Sequence, residues 1–195
     1  NWASRGLGDV YKRQVVICNE TFSNDNEEQY KKYFETFNFP LSDFQKYSIK
    51  ATVEGNHSLI TAHTGSGKTL PAEFAIQYFT SQGKKVIYTS PIKALSNQKM
   101  HDLSEKYPEI SFGLLTGDTK HNPEADVLIM TTEILRNTLF QRQINKENEN
   151  AESLLHFTMD VESELGCVIF DEIHYIDDPE LSLIHISEPT RRSVI

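Results

Sequence analysis

The chain lacks the residue patterns that mark several common protein classes. It has two cysteines in 195 residues, Cys18 and Cys167, far apart and at no metal-ligand spacing. That leaves no room for a disulfide framework or a thiolate zinc site, and two idle thiols in a reducing compartment are the simpler reading. No apolar run reaches the length of a membrane span, and the first residues lack the apolar core of a signal peptide. Positive charge is scarce, with 19 Lys/Arg against 28 Asp/Glu and a net charge of −9. That argues against a broad basic face for nucleic acid and leaves open a narrow groove working through backbone amides and hydroxyls. Tryptophan occurs once, at Trp2. What remains is ordinary: 38% hydrophobic and 10% aromatic residues, enough for one core and too few residues for two.

The two ends stand apart. Residues 4–14, SRGLGDVYKRQ, and 181–191, LSLIHISEPTR, are related by reverse complementation of their codons. Gln14 as CAG gives CTG for Leu181, Arg13 as AGA gives TCT for Ser182, and all eleven positions down to Ser4 and Arg191 obey the rule. Selection on protein structure does not produce that relation. The ends resemble the mosaic end of a transposase-based sequencing adapter translated on both strands, and neither continues the periodicity of its neighbour. Residues 1–14 and 181–195 are accordingly expected to be structurally incidental. Between them, 15–180 hold 14 Lys/Arg and 26 Asp/Glu, a formal charge of −12.

In 26–39, Tyr30, Tyr33, Phe34 and Phe37 fall at helical spacing, which predicts an amphipathic helix closed by Pro40. A second helix is expected after Ser42, with Phe44, Tyr47 and Ala51 on one face and Gly55 as its stop. Residues 15–40 thus form a helical lead-in to a domain over 41–180. Five apolar runs follow, at 58–62, 85–90, 112–117, 126–132 and 167–172. They are continuous rather than alternating, as strands covered on both faces are. Helical stretches between most of them predict an α/β fold, a parallel sheet with right-handed crossovers. Residues 142–153, polar and Asn-rich, read as an exposed insertion before the last strand.

Two stretches carry chemistry. SLITAHTGSGKTL sets Thr64, Gly65, Ser66, Gly67, Lys68 and Thr69 between an expected strand and an expected helix. Glycines there let backbone N–H groups close around phosphate oxygens, and the helix N-terminus adds partial positive charge. Lys68 would reach the β- and γ-phosphates of a nucleotide, and Thr69 would place its hydroxyl on Mg²⁺. The general pattern asks for glycine at position 62, where this chain has Ala62. CVIFDEIHYIDD then runs four apolar residues into Asp171 and Glu172. Such acids emerge at the C-terminal edge of a sheet, where Asp171 would hold Mg²⁺ and Glu172 would accept the proton of an attacking water. A tight turn and a capping pair are the plain alternatives for the two stretches taken singly; their order and separation in one sheet favour a shared site.

AHTGSGKT followed by DEIH resembles a superfamily 2 DExH-box helicase, whose first motif tolerates Ala62. SPIKALSNQK (90–99), LLTGD (114–118) and MTTEILRN (130–137) are similar to that superfamily's strand-contacting motifs, in the same order. The wording is nearest to the superkiller-type, exosome-associated RNA helicases, and versions carried by large DNA viruses are similar as well. The resemblance covers about 41–180 and implies a RecA-like parallel sheet flanked by helices, the first helicase domain only. It implies ATP and Mg²⁺ as cofactors and single-stranded RNA as partner, with DNA as the alternative strand. It further implies a second RecA-like domain in the full-length chain, no membrane, and an intracellular setting, cytoplasmic, nuclear or viral. Gln45 matches the glutamine that reads the adenine edge. Ser90, Pro91, Lys93 and Gln98 match the motif lining the nucleic-acid path. Thr116, Gly117 and Asp118, with Thr131, Thr132 and Glu133, match those that hold backbone phosphates, and His174 matches the residue that couples nucleotide to strand. Caps and turns account for the same polar residues equally simply. The family pattern continues past Asp178 with an Arg-Gly pair where this chain turns to Leu181, so a fragment cut just beyond its acidic strand is expected. A non-hydrolysing nucleotide module and a DNA-repair helicase of the same branch remain as alternatives.

Overall fold

The computed structural model describes residues 15–18, 20–147, 159, 163–173 and 193–194. His174, the stretch 148–153 and most of both ends lie outside the described residues. The chain divides into two compact units, residues 1–47 and 48–195.

The first unit is built around aromatic residues. Helix α1 (Asn24–Phe34) carries buried Tyr30, and Phe22 is buried with its ring edge-on to Phe34 and Tyr47 at 5.6 and 4.8 Å. The Phe22 N–H donates to Asp43 Oδ1 at 3.0 Å, so the chain before α1 is pinned. α1 is shorter than the aromatic spacing predicts. The Thr36 hydroxyl donates to the Tyr33 carbonyl at 2.7 Å, occupying a group that a further turn would need, and Phe37 lies beyond the helix.

Helix α2 (Asp43–Val53) begins after Ser42 and stops at Gly55, as expected, with the Asn56 N–H closing on the Ala51 carbonyl at 2.8 Å. Its start uses a capping-box contact: the Ser42 N–H donates to Gln45 Oε1 at 2.9 Å. The buried face is Gln45, Ser48, Ile49 and Thr52 rather than the expected Phe44, Tyr47 and Ala51, which are only partly covered. Apolar character alone pointed to the wrong side because this helix buries polar groups that satisfy one another locally, Thr52 Oγ1 donating to the Ser48 carbonyl at 2.9 Å.

The second unit is a sheet between two helical layers. After α3 (Thr69–Thr80) come β1 (Lys85–Ser90), α4 (Lys93–Lys106), β2 (Phe112–Leu115), β3 (Lys120–His121), β4 (Val127–Thr131), α5 (Thr132–Glu147), β5 (Leu165–Phe170) and β6 (Ser193–Val194). Strand order is β3-β2-β4-β1-β5-β6, parallel throughout except for the β2–β3 hairpin. Strand residues alternate between two cores. Val86, Tyr88, Val127, Ile129, Cys167 and Ile169 pack with Ala72, Ala75 and Ile76 of α3 and Leu103 of α4. Ile87, Leu128, Met130 and Leu165 pack with Ile134 and Leu135 of α5 on the other face. Both faces of the central strands are therefore dry, which is why their apolar runs are unbroken.

Two expectations fail in this unit. Residues 58–62 form no strand: Leu59 is 71% exposed and the segment joins no ladder. β5 is flanked by β1 on one edge and by the two-residue β6 on the other, so among the described residues no edge is left beside it. An apolar run without a neighbouring edge has nowhere to place its backbone hydrogen bonds in the sheet and stays outside it. The polar stretch at 142–153, in turn, begins as helix, since α5 continues to Glu147.

The thiols differ sharply. Cys18 is exposed, whereas Cys167 is fully buried in β5 and burial pushes its thiol up to about 12. Ellman's reagent should therefore titrate one thiol in the native chain and the second only after denaturation. Rapid reaction of both would show that β5 is not packed under α3.

Candidate nucleotide and nucleic-acid site

The segment before α3 folds as a phosphate loop. The Ser66 N–H donates to the His63 carbonyl and the Leu70 N–H to the Gly67 carbonyl, both at 3.3 Å. Gly65 and Gly67 have φ of 82° and 85°, a conformation that side chains resist, so glycine is required at both. Ala62 is not among the residues with positive φ, and what it offers the loop is its carbonyl, which accepts from Lys68 Nζ at 2.6 Å. The expected glycine at that position is therefore dispensable here. The Ser66 hydroxyl is buried with no hydrogen-bond partner. An orphaned donor between two left-handed glycines, with an ammonium turned across the loop and Thr69 opening α3, fits a nucleotide's phosphates. Pro71 sits buried in the first helical turn, where its missing N–H costs no intrahelical bond.

The acidic strand end lies on β5. The Asp171 N–H donates to the Thr89 carbonyl at 2.9 Å, prolonging the pairing of β5 with β1. Asp171 Oδ2 accepts the Tyr88 hydroxyl at 2.6 Å, Oδ1 accepts the Glu172 N–H at 3.1 Å, and Lys99 Nζ of α4 lies 3.8 Å from Oδ2. Glu172 has φ of 53°, a strained value for a non-glycine residue, and its side chain is exposed beyond the strand end.

The parallel register gathers the remaining residues. Ser90 pairs with Thr131, Thr116 directly follows β2, and Asp171 follows β5, so four strands end along one sheet edge at these positions. They do not all face outward. Ser90 and Ser96 are both fully buried with their hydroxyls 2.6 Å apart, and the Thr132 hydroxyl donates to the Ser90 carbonyl at 3.3 Å. Ser90 and Thr132 therefore brace the turn between β1 and α4 instead of presenting hydroxyls to a strand. Thr116 is also buried, its hydroxyl donating to Asp118 Oδ1 at 2.9 Å. The outward groups are Lys93, Gln98, Gly117, Asp118 and Glu133, with Pro91 and Thr131 partly covered. Lys93 is paired with Asp118, and that contact, with the Thr116 hydroxyl, holds the Asp118 carboxyl below the usual carboxylate range. Gln45 is buried in the first unit.

Tyr88 and Lys99 were not foreseen as site residues. Tyr88 was hidden inside an apolar run, where only its hydroxyl distinguishes it from a core phenylalanine. Lys99 lay inside a quoted motif with no spacing that tied it to Asp171.

A parallel sheet with helices on both faces, a phosphate loop opening α3 and paired acids at a strand end define a RecA-like P-loop domain. Residues 42–189 match the DEAD/DEAH box helicase family, and the chain belongs to it. The match runs nine residues past Glu180. The chain is 41% identical over 146 residues to antiviral helicase SKI2 of Saccharomyces cerevisiae, 75% of this chain and 10% of that one. It is 42% identical over 149 residues to ATP-dependent RNA helicase mtr4 of Schizosaccharomyces pombe, covering 76% and 12%. To the human exosome RNA helicase MTR4 the figures are 40% over 153 residues, 78% and 13%. Its likeness among DExH helicases is thus to the superkiller type, and it spans roughly an eighth or less of these relatives' length. A solved DUF1998 helicase MrfA, bound to DNA and AMPPNP, shares the fold at a TM-score of 0.55 and 18% identity, over 80% of this chain and 22% of that one. No helix among the described residues is long and apolar enough to cross a membrane.

Proposed function

We propose that this chain supplies the ATP-binding first RecA-like domain of an ATP-dependent RNA helicase. The observation that carries the reading is the pair of elements in one unit: a glycine-shaped loop closed by Lys68, and Asp171–Glu172 ending the strand next to β1. Gly65 to Lys68 would cradle the phosphates, with backbone N–H groups and the Ser66 hydroxyl donating and Lys68 leaving the Ala62 carbonyl for the β- and γ-phosphates. Thr69 and Asp171 would hold Mg²⁺, which when bound neutralises charge on the phosphate oxygens. Glu172, exposed beyond β5, would take the proton of the attacking water. Lys93, Gln98, Gly117, Asp118, Thr131 and Glu133 offer the accessible groups for a strand, with Ser90, Thr116 and Thr132 setting their positions. Phosphate and backbone contacts of this kind suit an acidic protein, because they need no basic face. RNA is the proposed strand because the relatives are named as RNA helicases. An intracellular setting and a second RecA-like domain in the whole protein belong to the same proposal, as does an incidental role for residues 1–14; the other end was expected to be incidental too, but its Ser193–Val194 pair with β5.

Gln45 would read the adenine. Its Oε1 accepts the Ser42 N–H, and a carbonyl oxygen has a second lone pair for the adenine amino group while the amide N–H₂ donates to the ring. Titration of the chain with Mg²⁺ and non-hydrolysable ATP and GTP analogues tests this. Binding of the ATP analogue is expected, with Gln45→Ala weakening it by about 1–3 kcal/mol and leaving GTP little changed. The substitution also removes a capping-box contact and so lowers stability, and the ATP-to-GTP ratio is the decisive reading. Equal loss for both nucleotides would reduce Gln45 to a helix cap, and no binding of the ATP analogue by the unmutated chain would end the nucleotide-domain reading.

A further inference from the structure

Resting on the reading of Asp171 as a metal-holding carboxylate, we propose that Tyr88 is its positioning residue: the buried Tyr88 hydroxyl fixes the carboxylate in the orientation from which it holds the Mg²⁺ of a bound nucleotide. Tyr88 pairs with Ile169 in the β1–β5 register, and both pack into the same core beneath α3 and α4. Asp171 lies two residues past Ile169, about 6.6 Å along an extended strand. The phenol spans that step along the sheet face, and its hydroxyl meets Oδ2 at 2.6 Å.

The bond is poorly explained as packing. Tyr88 is 2% exposed, and a phenylalanine would fill the same volume without bringing a hydroxyl into the core. Nor is the bond needed to hold the strands together. Residues on either side of Tyr88 are already laddered to β5, and the Asp171 N–H reaches the Thr89 carbonyl. What it adds is control of a side chain. Tyr88 takes one site on Oδ2 and the Glu172 N–H one on Oδ1, so both oxygens are pinned while each keeps a lone pair. Lys99, at 3.8 Å, supplies charge without fixing an angle.

The test measures binding of a non-hydrolysable ATP analogue to the 195-residue chain, in Mg²⁺ and in EDTA, with a thermal midpoint for each variant. Asp171→Asn should erase the gain in affinity that Mg²⁺ gives. Tyr88→Phe should weaken binding about tenfold in Mg²⁺, near the lower end of what one hydrogen bond to a charged group contributes, and leave binding in EDTA unchanged. Equal loss in both conditions, or failure of Tyr88→Phe to fold, would make the Tyr88 hydroxyl a support of the fold and overturn the proposal. An unchanged or tighter Mg²⁺-dependent affinity overturns it too, since the hydroxyl would then be idle or in the way. If Asp171→Asn keeps its Mg²⁺ gain, the assignment of Asp171 fails, and the role of Tyr88 fails with it.

Discussion

Lys68→Ala should weaken binding of ATP by about 30- to 150-fold while leaving binding of AMP unchanged. The ammonium donates to the Ala62 carbonyl at 2.6 Å, so it already lies across the loop that Gly65 and Gly67 shape. In the nucleotide complex it would exchange that neutral carbonyl for phosphate oxygens carrying charge. A hydrogen bond to a charged group contributes about 1.5–3 kcal/mol, and the part of that range from about 2 to 3 kcal/mol corresponds to the stated loss. AMP lacks the β- and γ-phosphates and serves as the control for loop integrity. Because Lys68 is exposed at the head of α3, the thermal midpoint should move little. Isothermal titration with both nucleotides decides the matter. Parallel losses for ATP and AMP would mean that Lys68 maintains the loop and does not meet the terminal phosphates.

Gly113→Ala should be the most damaging single methyl group in the sheet, costing about 3 kcal/mol and lowering the thermal midpoint by roughly 6–12 °C. A Cβ at Gly113 would stand 2.1 Å from the Asn122 carbonyl oxygen and 2.9 Å from Leu128 Cδ2. The oxygen has no room to retreat. Asn122 sits at φ 44°, its side-chain amide donates to the Phe112 carbonyl at 3.2 Å, and its own carbonyl accepts the Ala125 N–H at 3.2 Å. The hairpin of β2 and β3 would have to open to admit the methyl. Gly117→Ala is the matched control: no atom lies within 4 Å of its Cβ position, so the change should stay within about 0.5 kcal/mol. Thermal melts of both variants check this, and a melt of Gly113→Ala within about 2 °C of the parent would show that the Asn122 carbonyl does not lie against Gly113.

Much of this was legible along the chain. Four of the five expected strands form, because a continuous apolar run marks a strand covered on both faces and that mark is local. The phosphate loop was legible for the same reason: two glycines, a lysine and a threonine need one another only across a few residues. Serine 90 shows the limit. The motif containing it was recognised, but whether its hydroxyl faces a strand or Ser96 depends on how β1 turns into α4. The face of α2 was misjudged on similar grounds, since burial of Gln45 and Ser48 reflects hydrogen bonding that apolar periodicity does not register.

The sequence by itself determined most of the elements and their order, the loop that suits phosphate and the strand that ends in acids. Tertiary structure decided which groups meet. The Tyr88–Asp171 contact joins residues 83 positions apart, Lys93 finds Asp118 across 25, and residues 58–62 stay outside the sheet although their composition is that of a strand. The physical reason is that strand propensity is a property of neighbours, whereas a hydrogen bond between strands requires a partner edge in register. That edge is supplied, or withheld, only by the rest of the fold.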